Sequence, residues 1–223
     1  MLQPAALLTF LADLADHNER DWFQTHKARY DELRLAFEAD VAYWLGELAK
    51  DEPALAGLDP RKCVFRIYRD VRFSKNKLPY KTHFSAYFSA GGKAGTTPGR
   101  YLQVGPGGQT LVAGGLYEPD KAQLAAVRQE IDYAPDTLRA LLAAPTARRY
   151  FPAGLSGEQL KKTPPGYEPT HPEANWLRHK QFLLTHELPD AQVRALAPAA
   201  WRAHVLGALR ALGPFCEWLG VGV

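Results

Sequence analysis

A chain of 223 residues, 46% hydrophobic and 23% charged, can bury one large core or two small ones and has the composition of an ordinary globular protein. Its net charge of +3, from 27 Lys and Arg against 24 Asp and Glu, excludes wholesale coating of nucleic acid, so positive charge matters only where it is concentrated. No apolar stretch approaches the roughly 20 residues that span a bilayer, and Met1–Ala6 lacks the basic start of a signal peptide; a cytoplasmic protein with no membrane partner is expected.

In chain order, residues 4–16 predict an amphipathic helix with Leu7, Leu8, Leu11 and Leu14 on one stripe. Asn18 reads as the N-cap of a long second helix, with Asp21 at its third position. That helix runs to about Lys50 on Trp22, Tyr30, Leu33, Phe37, Val41, Trp44 and Leu48, and Asp51–Pro60 ends the helical layer. Cys63 and Cys216 fit no zinc or redox spacing and read as reduced, partly buried thiols.

Between residues 62 and 117 the hydrophobic period changes from 3.6 to 2. Strands are expected at 64–73, where Phe65, Ile67, Val71 and Phe73 alternate with polar neighbours, and at 82–90, where Phe84, Ala86, Phe88 and Ala90 do. Two more are expected at 100–104 and about 109–114, joined by the hairpin turn Gly105-Pro-Gly-Gly108. Arg69 falls on the apolar side of its strand, which calls for a bulge or a strand end. Pro119 then opens a helix to about Tyr133, and a second helix covers 135–143. Residues 145–175 read as irregular apart from a helical turn near 158–161, 180–186 as a short strand, and about 189–219 as a closing helix pair. The class is α+β: an antiparallel sheet of about four to six strands, packed on one face by N-terminal and C-terminal helices. The expected organisation is a single domain over 1–223, with a helical layer at 4–50, the sheet at 62–117 and a helical part at 119–219.

Six basic residues, Arg66, Arg69, Arg72, Lys75, Lys77 and Lys81, crowd into the first strand and the loop after it against one acid, Asp70. Repulsion between close like charges, roughly 0.5–2 kcal/mol per pair, is the mark of a site that takes an anion. The polar alternation adds Tyr68, His83, Ser85, Tyr87, Tyr101 and Gln103 to the same face, which supplies guanidinium forks, phenols, an amide and an imidazole. The expected partner is a small phosphorylated or carboxylated ligand, held by Arg66, Tyr68, Arg69, Arg72, Lys75, Lys77, Lys81, His83, Tyr87 and Tyr101. The same residues also suit the wet side of an ordinary sheet. Two alternatives share the segment: a phosphoester or acyl hydrolase or transferase with His83 as its acid or base, and docking of single-stranded nucleic acid or an acidic protein. The oligomeric state stays open.

A second constellation, Arg128, Glu130 and Asp132 with Lys161, Lys162 and His171, is expected to rest on a helical Arg128–Asp132 ion pair. No His-Glu-x-x-His motif, nucleophile elbow, dinucleotide fingerprint or Walker loop is present, so no metal and no cofactor is expected.

The run Phe65-Arg-Ile-Tyr-Arg-Asp-x-Arg-Phe-Ser-x-x-Lys-x-Pro-Tyr-Lys81 resembles the signature of the bacterial and fungal family known as domain of unknown function 2461. Phe10–Phe23, Gly114-Gly-Leu-Tyr-x-Pro119, Arg128-x-Glu-Ile-Asp132, and Leu160-Lys-x-x-Pro164 with His171-Pro172 resemble it in the same order, over roughly residues 7–219. The resemblance implies a single α+β domain and brings no catalytic residues with it.

Overall fold

Leu7, Leu8, Phe10, Leu11 and Leu14 share one buried stripe, and the segment that carries them is helix α1, Pro4–Asp16. In the computed structural model, which describes residues 1–94 and 97–220, the chain continues through α2 (Arg20–Thr25), α3 (Lys27–Leu48) and α4 (Pro60–Cys63). Strands β1 (Phe84–Phe88), β2 (Gly99–Val104) and β3 (Thr110–Leu116) follow, then α5 (Lys121–Tyr133), α6 (Pro135–Ala143) and α7 (Pro145–Tyr150). The remainder is β4 (Leu155–Ser156), α8 (Ala174–Leu177), β5 (Phe182–Leu188), α9 (Asp190–Ala195), α10 (Pro198–Ala211) and α11 (Gly213–Gly220). The fold is α+β, with a five-stranded antiparallel sheet in the order β1-β2-β3-β5-β4. No helix among the described residues is long and apolar enough to cross a membrane.

The chain divides into two compact units, the first formed by Met1–Ala94, Tyr101–Val112 and Glu187–Gly207. Its core lies between α3 and β1: Tyr30 and Phe37 meet Phe84 edge-on at 5.7 and 5.6 Å, and Trp44 meets Phe88 at 6.5 Å. Trp44 Nε1 donates to the Arg202 carbonyl at 3.0 Å, which ties α3 to α10. The β2–β3 turn uses left-handed Gly107 and Gly108, and both N–H groups donate to the Asp190 carboxylate at 3.0 and 2.9 Å.

The second unit comprises Gly95–Arg100, Ala113–His186 and Ala208–Val223. Helix α5 starts at Lys121 on a reciprocal capping box between Asp120 and Gln123, so Pro119 lies before the helix and not in its first turn. Val127, Ile131 and Leu138 are buried along α5 and α6.

Several sequence expectations change. The long second helix is two, broken at His26, whose Nδ1 lies 2.8 Å from the Trp22 carbonyl. Asn18 caps neither, because its side chain is committed to the backbone of Tyr80. Residues 64–73 do not form a continuous strand. They meet β1 only at the Val64–Ala86 bridge, then bend at Ile67 and close on themselves through the Tyr68–Tyr80 bridge and the Arg69 N–H to Pro79 carbonyl bond of 2.9 Å. Residues 158–161 are extended, with Leu160 N–H donating to the Arg178 carbonyl at 2.7 Å. The closing helix pair is three helices, α9 to α11.

Candidate functional site

Phe65 is the centre of a cationic cluster in the first unit. Its N–H donates to the Ser85 carbonyl at 2.9 Å, and the Val64–Ala86 bridge turns Val64 toward the core, so alternation puts the Phe65 ring on the opposite face. There it meets Tyr101 edge-on at 6.2 Å. Two ammonium groups sit over the Phe65 ring, Lys81 Nζ at 5.2 Å and Lys93 Nζ at 6.0 Å from its centroid.

Local backbone geometry places each cation. Lys81 N–H donates to the Ile67 carbonyl at 2.8 Å, which closes the base of the loop. Lys93 sits on a 3-10 turn, Gly92–Ala94, and its Nζ donates to the Val64 carbonyl at 2.8 Å. That turn needs glycine: Gly92 has a φ of 59°, and a Cβ there would stand 3.2 Å from the Lys62 carbonyl oxygen. Arg66 adds a third charge. Burial, then Arg66 and Lys93, holds the Lys81 ammonium below the usual lysine range.

Among the described residues no carboxylate forms a salt bridge with Arg66, Lys81 or Lys93. Asp70 feels the charge of Arg66 but is closed on Arg72, whose Nε and Nη2 donate to it at 3.0 and 2.7 Å.

Neutral polar groups border the cluster. Burial, with the Lys81 charge second, pushes the His83 imidazole down to about 4, so at neutral pH it carries no charge. Gly105 passes against it, where a Cβ would lie 3.0 Å from His83 Cβ. Tyr101 Oη donates to Gln103 Oε1 at 2.8 Å, and Gln103 Nε2 donates to the Gln109 carbonyl at 2.8 Å, so phenol and amide are both oriented. Tyr87, half-buried on β1, falls on the same side by alternation.

The remaining basic residues belong to the loop beyond. Arg69 Nη1 donates to the Leu78 carbonyl at 3.1 Å and Lys77 Nζ to the Val71 carbonyl at 2.9 Å; Arg72 is paired with Asp70, and Lys75 is exposed. Tyr68 turns to Phe23 and Tyr80, at 6.1 and 5.5 Å, not to Phe65. The loop tip presents Phe73 almost fully, at 96% exposure, with the Arg72 guanidinium 5.8 Å from its ring. The structure therefore sets Lys81 and Tyr101 at the Phe65 ring, with Arg66 and His83 close enough to Lys81 to feel its charge and Tyr87 on the same side of β1 as that ring. It sets Tyr68, Arg69, Arg72, Lys75 and Lys77 in a self-bonded loop. Lys93 is the cation that sequence reasoning missed. Its only sequence signal is the Gly91-Gly-Lys turn directly after β1.

The second constellation resolves within the second unit. Arg128 does not pair with Asp132; its Nε and Nη2 donate to the Leu177 and His179 carbonyls at 3.0 and 3.1 Å. Two buried carbonyls bind a guanidinium fork better than one exposed carboxylate on the same helix does. Asp132 instead lies 3.0 Å from His171 Nε2, while His171 Nδ1 accepts from the Glu173 N–H at 3.0 Å. Nε2 must then carry the proton, and both ring nitrogens are occupied. That Asp–His pair is a brace, with no lone pair left for base catalysis.

A family model described as "Conserved hypothetical protein (DUF2461)" matches residues 6–218. No curated protein and no solved structure matches the chain.

Proposed function

This chain belongs to the DUF2461 family of conserved hypothetical proteins, and from that premise we propose that it binds a small phosphorylated or carboxylated ligand on the Phe65 face of its sheet. The observation that carries the proposal is the placement of two ammonium groups, Lys81 and Lys93, over one aromatic ring, with the Arg66 charge acting on Lys81 and no salt-bridged carboxylate on any of the three among the described residues. Two ammonium groups over the same ring repel by roughly 1–3 kcal/mol at an effective dielectric near 20, and an anion between them reverses the sign. Lys81, Lys93 and Arg66 hold the charge, Tyr101 and Gln103 supply oriented polar contacts, and His83 lies beside them as a neutral donor or acceptor. Catalysis by His83 is not part of the proposal, since no group among the described residues orients its ring nitrogens. Cys63 and Cys216 are both buried and no disulfide joins them, which supports a reducing, cytoplasmic setting.

One observation favours a second reading, docking of single-stranded nucleic acid: the exposed Phe73 ring beside Arg72, Lys75 and Lys77 suits base stacking with phosphate contacts.

A thermal-shift panel of nucleotides, sugar phosphates, carboxylates and short oligonucleotides, at low and high salt, separates the two. A small anion at about 100 times its dissociation constant adds roughly 2.7 kcal/mol of stability. The proposal expects a salt-tolerant shift from one small anion, lost in Lys81→Ala and Lys93→Ala and retained in Phe73→Ala. A shift from oligonucleotides alone, lost at high salt and in Phe73→Ala, replaces it with the second reading.

A further inference from the structure

The chain has eleven lysines, and their surroundings separate one from the rest. Three are salt-bridged to a nearby carboxylate, Lys77 and Lys93 donate to main-chain carbonyls, and five stand exposed. Lys81 alone is half-buried with an ammonium that has no hydrogen-bond or carboxylate partner among the described residues. Its Nζ lies over Phe65, the ring that also carries Lys93 Nζ, and the Arg66 charge reaches it as well.

An ammonium in that setting gives up its proton readily. The loss costs Lys81 a weak cation–π contact and no hydrogen bond or ion pair, and it ends the repulsion from Lys93 and Arg66. Burial, the largest cause, acts in the same direction as those two charges and holds the group below the usual lysine range. Lys93 cannot take the same part, because its Nζ is spent on the Val64 carbonyl at 2.8 Å, a bond that favours the ammonium. Arg66 keeps its charge at any ordinary pH. The cluster thus divides into one amine suited to nucleophilic attack and two lasting cations beside it.

We propose that Lys81 forms an imine with a small carbonyl compound whose carboxylate or phosphate is held by Lys93 and Arg66. The inference rests on the anion reading of the Phe65 face and gives the ligand a class. The neutral Nζ lone pair forms the C–N bond as the carbonyl π pair moves to oxygen, and a proton passes from nitrogen to that oxygen to give a carbinolamine. The nitrogen lone pair then expels the hydroxyl, which takes a proton from solvent and leaves as water, and a protonated imine remains. Nothing is oxidised or reduced. The positive charge returns to a nitrogen over Phe65, now beside the acid group the ligand brings.

The test incubates the full chain at neutral pH with pyruvate and sodium cyanoborohydride, which reduces an imine to a stable amine, and maps the adducts by peptide mass spectrometry. Acetone supplies the carbonyl without the acid. Lactate supplies the carboxylate without the carbonyl, and its thermal shift reports anion binding alone. Pyruvate is expected to label Lys81 with saturation, at least about tenfold faster than it labels any other lysine and at least about tenfold faster than acetone labels Lys81. Lys81→Arg keeps the charge and should abolish the label at that position; Lys93→Gln should slow the pyruvate label and weaken the lactate shift. Dihydroxyacetone phosphate and glycerol phosphate repeat the comparison, and the carbonyl compound with the lower half-saturating concentration assigns the acid group as carboxylate or phosphate. Labelling spread evenly over the lysines, or equal at Lys81 from pyruvate and acetone, overturns the proposal. A lactate or glycerol phosphate shift seen alongside that failure leaves the anion reading standing, and its absence counts against that reading too.

Discussion

Asn18 holds both backbone groups of Tyr80: its Nδ2 donates to the Tyr80 carbonyl at 3.1 Å, and its Oδ1 accepts from the Tyr80 N–H at 3.0 Å. Both residues are buried, at 6% and 3% exposure, so water cannot replace either bond. The pin fixes the return limb of the basic loop one residue before Lys81. Asn18→Ala strands two buried backbone groups and is expected to cost about 2–4 kcal/mol in urea unfolding. Asn18→Asp keeps the acceptor but sets a carboxylate oxygen against the Tyr80 carbonyl, and should cost at least as much. An unchanged midpoint for Asn18→Ala would show that the pin carries no stability.

The regular elements are legible wherever apolar spacing has one period and one punctuation mark. Helix α6 keeps its expected bounds because Pro135 opens it, the strand at Phe84–Phe88 follows from alternation, and those at Gly99–Val104 and Thr110–Leu116 flank the expected glycine turn. Where a side chain bonds the backbone at long range, the pattern misleads. The helical period runs unbroken through His26, since the bond from its ring to the Trp22 carbonyl leaves no mark in hydrophobicity. Residues 64–73 alternate like a strand, yet Arg69, the residue out of step, directs its backbone and guanidinium to Pro79 and Leu78 and folds the segment back. The candidate site is half legible for the same reason. Arg66, Lys81 and His83 stand in one sequence run, whereas Lys93 reaches Phe65 only because Gly92 turns the chain against Lys62.

The Gly114-Gly115 pair is a packing device, and its two members are expected to differ. A Cβ on Gly115 would lie 2.0 Å from the Phe182 carbonyl oxygen, at a φ of 127°, and the paired β5 backbone cannot retreat. A Cβ on Gly114 would first meet Leu212 Cδ1 at 2.9 Å, the end of a side chain that can rotate. Gly115→Ala should therefore cost about 3 kcal/mol or more, and Gly114→Ala clearly less. Equal losses in thermal or urea unfolding would contradict the contact assignment.

Asp40 and Arg202 form an ion pair between α3 and α10, with Arg202 Nε 2.9 Å from Asp40 Oδ1. The carboxylate is wholly buried and its Oδ2 has no partner among the described residues, while the Arg202 side chain keeps 22% exposure and stacks 4.6 Å from Tyr43. Losing the guanidinium leaves a charge that water cannot reach; losing the carboxylate leaves one that it can. Arg202→Ala should thus cost about 3–5 kcal/mol and Asp40→Ala less. The Asp40→Leu, Arg202→Leu double variant should lose less than the sum of the single changes. The reverse order of the two alanine variants would count against this account.

His83 links the proposed site to pH. Its folded value of about 4 lies below the ordinary 6.5, because burial and the Lys81 charge disfavour the imidazolium. Between those values the unfolded chain binds the extra proton and the native protein does not. Stability from this group is therefore full above about pH 6.5 and falls as pH drops toward 4, by at most about 3 kcal/mol. His83→Gln should flatten that part of the stability profile in urea titrations from pH 7.5 to 4.5; parallel profiles would remove His83 as the cause. An anion seated beside Lys81 offsets that ammonium's charge, though not the burial, and so draws a proton toward the ring. Its affinity should accordingly rise as pH falls from 7 toward 5 in the wild-type protein, and lose that rise in His83→Gln.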